Sequence, residues 1–171
     1  SVTGVQTCAL PIFSEMYSDL LGEAVDQMQV DAGEVADPLW SFGEDIGYSS
    51  TYTRTSAPWA GRIRTMSGVL PGEYRTIFSG WDPNGEAHYN SGPGNRFAWL
   101  IGHGGKQSGW AITALGTVPA DGLCHQPEVE CTGLIRTTQL FMQALPKLST
   151  ASTYFDFARA IITSCTELTT L

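Results

Sequence analysis

The chain has 171 residues, 42% hydrophobic and 15% charged, and its 9 Lys and Arg face 17 Asp and Glu for a formal net charge of −8 at pH 7. This composition fits one globular domain with a packed core and excludes a disordered tail. The acidic balance excludes a nucleic-acid-binding surface, and no apolar run reaches the ~18 residues of a bilayer span, so neither nucleic acid nor membrane is an expected partner.

The first segment stands apart. Val2–Ile12 reads VTGVQTCALPI, the forward translation of a common short-read sequencing adapter. Ser1–Ile12, Cys8 included, is therefore set aside as a non-native scar, and the expected domain covers 13–171. Phe13–Met28 predicts the first helix: Phe13, Met16, Tyr17, Leu20, Leu21, Ala24, Val25 and Met28 recur on one apolar face. From Gln29 to His88 that periodicity disappears and Gly, Ser, Pro and Thr dominate. A stretch of this length without regular elements points to function or bound ions as its organiser. Asn90-Ser-Gly-Pro-Gly then predicts a helix start, with Ser91 as N-cap and Pro93 in the first turn. That helix runs through Phe97, Ala98, Leu100 and Ile101 and stops at Gly104-Gly105. A loop follows to Cys131. Thr132 is expected to cap a third helix carrying Leu134, Ile135, Phe141, Met142 and Leu145. Ser152 is expected to cap a fourth, with Tyr154, Phe157, Ala158, Ile161, Ile162, Cys165 and Leu168 at helical spacing. The fold class is mainly α, with about four helices and a long irregular excursion after the first. Trp40, Trp59, Trp81, Trp99 and Trp110 read as packing groups.

On the first helix, Glu15, Asp19 and Asp26 fall at i, i+4 and i+11 and share one stripe. Two readings stand. One is a solvated acidic face, which like-charge spacing permits because the cost is only a few tenths of a kcal/mol. The other is a cation beside the stripe: zinc accepts a carboxylate ligand, and calcium prefers several oxygens, which Asp26 with Glu44 and Asp45 would supply.

Five segments then carry a resemblance. Ser14-Glu-Met-Tyr-Ser-Asp-Leu-Leu-Gly-Glu resembles the helix that supplies the third zinc ligand in thermolysin-like neutral metallopeptidases. Gly43-Glu-Asp-Ile resembles their calcium-binding turn, and Arg62-Ile-Arg-Thr-Met-Ser the segment with their substrate-binding arginine. Glu86-Ala-His-Tyr-Asn-Ser-Gly-Pro-Gly-Asn-Arg resembles the segment of their transition-state histidine. The stretch from Leu140-Phe-Met-Gln-Ala-Leu through Phe155-Asp-Phe-Ala-Arg-Ala to Leu168 resembles their closing two helices. The order is the family's own, and the region is its mostly helical C-terminal domain. The resemblance implies roles: Glu15 as zinc ligand, Asp19 as the partner that orients a zinc-bound histidine, and Asp26, Glu44 and Asp45 around calcium. It further implies Arg64 as the binder of a substrate carbonyl, His88 as the oxyanion stabiliser and Asp82 as the carboxylate that orients His88. His103 and His125 match no family position and read as surface residues.

The departures are as informative. No H-E-x-x-H occurs in the chain, and that motif supplies the family's two zinc histidines and general base. It is expected upstream, so the chain alone is expected to be proteolytically inactive. Gly61 stands where another family calcium site has an aspartate, and Gly102–Cys131 is longer than the family's loop. Cys124 and Cys131 are candidates for a local disulfide that leaves Cys165 as a buried free thiol; the odd cysteine count equally allows a partner upstream. The expectation is a piece of a secreted, monomeric, zinc- and calcium-dependent metalloendopeptidase acting on peptide or protein substrates. The rival is a non-catalytic helical binding or structural domain on the same scaffold.

Overall fold

The computed structural model describes residues 9–29, 40–42, 64–66, 87–120 and 126–169. Four long helices dominate: α1 (Ala9–Gln29), α3 (Gly92–His103), α5 (Thr132–Ala144) and α6 (Tyr154–Thr169), with single-turn helices α2 (Ala87–Asn90) and α4 (Pro127–Glu130) leading into α3 and α5. The excursion after α1 contributes a two-residue antiparallel ribbon, β1 (Ser41–Phe42) on β2 (Arg64–Thr65). Strands β3 (Gly105–Gln107) and β4 (Trp110–Ile112) form a hairpin. Among the described residues no helix is long and apolar enough to cross a membrane.

Helix α1 begins four residues before the predicted start, and Ile12 is 2% exposed. Pro11 does not prevent this, because the first N–H groups of a helix have no intrahelical acceptor to lose. The predicted face holds at Phe13, Met16, Tyr17 and Leu20, which are buried, and fails at Val25, which is exposed.

The core is aromatic. Phe13 of α1, Phe141 of α5 and Phe157 of α6 pack with Phe97 of α3, with ring centroids 5.3–6.2 Å apart. Edge-to-face pairs of this kind add ~0.5–1.5 kcal/mol each beyond burial. Phe13 also meets Tyr154 edge-on at 5.3 Å, and Tyr17 donates its hydroxyl to the Phe141 carbonyl at 2.8 Å. Burial raises the Tyr17 and Tyr154 hydroxyls well above the ordinary tyrosine range, so both remain donors at any physiological pH.

Against this core, helix α3 presents Gly94, Ala98 and Gly102 at i, i+4 and i+8. A Cβ on Gly94 would collide with Met16 of α1, and one on Gly102 would stand 2.5 Å from the Trp40 ring and 2.9 Å from Thr137 Oγ1 of α5. A Cβ on Gly133 of α5 would in turn collide with the Gly102 carbonyl. The backbones of α3 and α5 thus meet directly at this crossing.

Two of the three predicted caps are corrected, and the third holds in position without a capping bond. Ser91 sits at the N-cap of α3 but has helical φ/ψ and makes no side-chain capping bond. The reason is that α2 runs into α3: Ser91 N–H donates to the Ala87 carbonyl and Asn95 N–H to that of Ser91. Cys131, not Thr132, occupies the N-cap of α5. Thr132 Oγ1 instead accepts the Thr117 N–H at 2.8 Å and ties down the preceding loop. Thr153 takes the place predicted for Ser152: its N–H and hydroxyl donate to Asp156 Oδ2 at 2.9 and 2.8 Å, and its Oγ1 accepts the Asp156 N–H at 3.3 Å. Ser152 Oγ accepts the Ser149 N–H in the turn before.

Met142, Leu145, Ile162 and Leu168 are exposed, and so are Ala158 and Cys165. The face of α6 that packs is narrower than predicted, Phe157, Ala160, Ile161 and Ser164, because a surface helix turns only one stripe of its circumference to the core. Cys165 is therefore a free thiol on the surface and not a buried one. Cys131 is disulfide-bonded; Cys124, its predicted partner, lies outside the described residues, as do Cys8, Trp59 and Trp81. The predicted loop after α3 contains the β3–β4 hairpin, turned at Ser108 (φ 50°) and Gly109 (φ 85°). Two consecutive positive φ values suit the right-handed strand twist, and Ser-Gly supplies them. Trp110 on this hairpin is 78% exposed and is not a packing group. Trp99 of α3 is half-buried and packs against the core, as expected, and its ring also meets the Arg96 guanidinium at 4.3 Å and the stacked ring of exposed His103 at 4.7 Å.

Two outcomes follow from this packing. Gly102→Ala places a methyl group against Trp40 and Thr137, and is expected to lower stability by about 1–3 kcal/mol, read as a lower denaturation midpoint with an unchanged m-value. Hydrogen bonds from Thr153 hold the Asp156 carboxyl below its ordinary range. A depressed acid stabilises above its unfolded pKa and loses that contribution as pH falls through the folded one. Between ~pH 5 and ~pH 2, melting temperature should therefore fall more steeply in the parent than in Asp156→Asn; parallel curves would remove Asp156 from the acid response.

Candidate functional site

Helix α1 buries more than its apolar face. Asp19 is 6% exposed, Glu23 is 1% exposed and Gln27 is buried with them, while Glu15 and Asp26 are half-buried. The stripe read from Glu15, Asp19 and Asp26 thus turns inward at Asp19, and a solvated acidic face does not describe it. Glu23 belongs to it as well, one turn after Asp19, and sequence spacing passed it over. Asp26 Oδ2 accepts the Gln27 side-chain amide at 3.4 Å.

Two hydrogen bonds show what the inward stripe does. Asn95 of α3 donates its side-chain amide to Asp19 Oδ2 at 2.6 Å, a buried bond between residues 76 apart in sequence. Glu23 Oε1 accepts the Trp40 N–H at 2.5 Å. Trp40 is 3% exposed and has φ 65°, a left-handed conformation that is rare for a bulky residue. It is held from both sides, since its carbonyl accepts the Met66 N–H at 2.8 Å directly after β2. The stripe on α1 therefore anchors the backbone just before β1 and, through Met66, the end of β2.

Among the described residues, the segments carrying predicted site residues gather around α1. Glu15 and Asp19 lie one turn apart on it. Helix α2, which contains His88, packs against it, as does β1, whose Phe42 is in register with Arg64 of β2. The side chains of His88 and Arg64 lie outside the described residues; so do Asp82, Glu44, Asp45 and His125 altogether. The His88 turn is secured at its end, where the Tyr154 hydroxyl donates to the Asn90 carbonyl at 2.8 Å.

Asn95 was legible as a buried position, because it shares the α3 face of Ala98 and Gly102 at i, i+3 and i+7. Nothing local singled it out as the partner of a carboxylate on another helix. Trp40 carried no signal beyond its size.

The donor chemistry bears on a metal. A carboxylate oxygen is an ordinary zinc ligand, and half-buried Glu15, a turn from buried Asp19, fits the part of one such ligand. Among the described residues no three His, Cys, Asp or Glu side chains form a metal-holding group. A catalytic zinc takes three protein ligands, so the described residues fit a share of that site and not the whole.

The chain is 26% identical over 166 residues to the zinc metalloproteinase of Renibacterium salmoninarum, covering 89% of this chain and 25% of that protein. It is 33% identical over 107 residues to the bacillolysin of Bacillus cereus and to the thermolysin of Alicyclobacillus acidocaldarius subsp. acidocaldarius, covering 60% of this chain and 17% of each relative. The chain thus spans a quarter or less of the length of these relatives. No solved structure matches. Residues 12–170 match the family described as thermolysin metallopeptidase, alpha-helical domain; with nearly all of α1, the His88 turn and the closing helices inside that match, the chain belongs to the thermolysin metallopeptidases as their α-helical domain.

Proposed function

We propose that this chain is the part of a secreted, monomeric metalloendopeptidase that completes the zinc site and binds the transition state of peptide hydrolysis. One observation carries the reading most directly: buried Asp19, a turn from Glu15, is bonded at 2.6 Å to the helix that continues from the His88 turn. A solvated or purely structural stripe has no need of a buried carboxylate joined to that segment, since burying the charge costs several kcal/mol before its bonds are counted.

When bound, zinc would supply Lewis-acid activation of water and of the peptide carbonyl. Glu15 would be the ligand from this chain. Asp19 would accept a proton-bearing ring nitrogen of a zinc histidine from the upstream H-E-x-x-H, fixing that ring's tautomer and direction. His88 would donate to the oxyanion as it forms, with Asp82 orienting its ring, and Arg64 would hold a substrate backbone carbonyl. Asp26, Glu44 and Asp45 would bind calcium, whose oxygen preference matches their carboxylates.

The test is kinetic, in the intact protein. His88→Ala should lower kcat on a peptide substrate by about 10²–10³ with little change in KM, because an oxyanion donor acts mainly in the transition state. A change confined to KM would make His88 a substrate binder. Absence of any chelator-sensitive cleavage by the intact parent would support the non-catalytic domain instead.

A further inference from the structure

We infer that Asn95 is a positioning residue for the zinc site, setting the direction of the Asp19 carboxylate and locking the Glu15 helix to the His88 turn. The inference rests on the proposed role of Asp19.

The bond is short, 2.6 Å, and both partners are buried, Asp19 at 6% and Asn95 at 5% exposure. Only a donor can face a carboxylate, so this contact also sets which end of the amide is Nδ2. The other end, Asn95 Oδ1, is buried and has no hydrogen-bond partner among the described residues. An unsatisfied buried carbonyl is costly, so what the position gains from an amide is its donor to Asp19. What the amide provides is a donor without a charge. A Lys or Arg at this position would neutralise Asp19 and weaken it as an acceptor for a histidine N–H. A neutral amide pins Oδ2 and stops the carboxylate from rotating while leaving its charge in place.

The second half of the coupling runs through backbone. Asn95 N–H donates to the Ser91 carbonyl at 3.0 Å, and Ser91 N–H donates to that of Ala87 at 2.8 Å. One residue is thus tied by its side chain to the helix of Glu15 and by its main chain to the turn holding His88. Asn and Asp are both short, so the bond tolerates little relative movement of the two helices.

Zinc affinity of the intact protein, measured by competition with a fluorescent chelator, tests this alongside the melting temperature of the metal-free form. Asn95→Ala and Asp19→Asn should each weaken zinc binding by about 10–100-fold, as loss of a ligand-orienting partner does. The double variant should be no worse than the weaker-binding single one, since both act through one bond. The exchange Asp19→Asn with Asn95→Asp restores a hydrogen bond but moves the charge to the other helix; it should recover metal-free stability and leave zinc affinity low. Asn95→Ala with lowered melting temperature and zinc affinity within about two-fold of the parent would reduce Asn95 to a structural role. Where Asn95→Ala does not fold, Asn95→Leu, close in volume and without a donor, takes its place with the same two outcomes; recovery of zinc affinity by the exchange would show that position 19 needs no charge and would overturn the reading of Asp19. Unaltered zinc affinity in Asp19→Asn would instead overturn the reading of Asp19, whatever Asn95 does.

Discussion

Helix α3 offers its neighbours backbone where most helices offer side chains, and the rest of the structure depends on that. Gly94 admits Met16 of α1, Gly102 admits the Trp40 ring, and the Gly102 carbonyl lies against Gly133 of α5. Small residues at i, i+4 and i+8 let three partners approach α3 together. Close approach is what brings the shortest polar side chains within reach of each other, and Asp19 and Asn95 meet at 2.6 Å for that reason. A larger residue at Gly94 would push α1 outward and separate the pair before it altered either polar residue.

The polar stripe of α1 is the costly part of this design. Buried carboxylates require hydrogen bonds to offset desolvation. Asp19 has the Asn95 amide and Glu23 has the Trp40 N–H. Glu23 serves a backbone held at φ 65°, where a tryptophan is strained by about 1–3 kcal/mol, and Met66 N–H fixes the other side of the same residue. Apolar residues at 19 and 23 would make a more stable helix and would leave β1, β2 and α3 without these anchors. Where a sequence departs from the stable choice on a buried face, function is the usual reason.

The four long helices were legible because each repeats apolar residues at 3.6-residue spacing over three turns or more. Their buried faces were less so. Ile162 and Cys165 satisfy the period of α6 yet fall about 140° and 80° round the helix from Phe157, and only the positions of the neighbouring helices decide which stripe is covered. The capping bonds failed for a related reason. Ser91, Thr132 and Ser152 are suitable capping residues, but α2 runs into α3, Thr117 engages Thr132, and Thr153 has Asp156 three residues ahead while Ser152 does not. Of the site, Glu15 and Asp19 were visible as a pair at i, i+4, and the resemblance gave His88 and Arg64 their roles. The Asp19–Asn95 bond was not visible, because a contact across 76 residues leaves no local pattern in either segment.

The last helix, most distant in sequence from the His88 turn, still helps to hold that turn. Tyr154 opens α6, and its first turn is set by the Thr153–Asp156 box. From there its ring meets Phe13 of α1 and its hydroxyl holds the Asn90 carbonyl at the end of the His88 turn. The turn is therefore clamped at two places, by Tyr154 at its C-terminal end and by Asn95 one turn further along α3. Two clamps from different helices remove both translation and rotation, whereas one bond would leave a pivot. The oxyanion role proposed for His88 requires a donor already aimed before charge develops. Burial of Tyr154 keeps its hydroxyl protonated well past neutrality, so this clamp holds over the whole pH range in which a histidine changes charge.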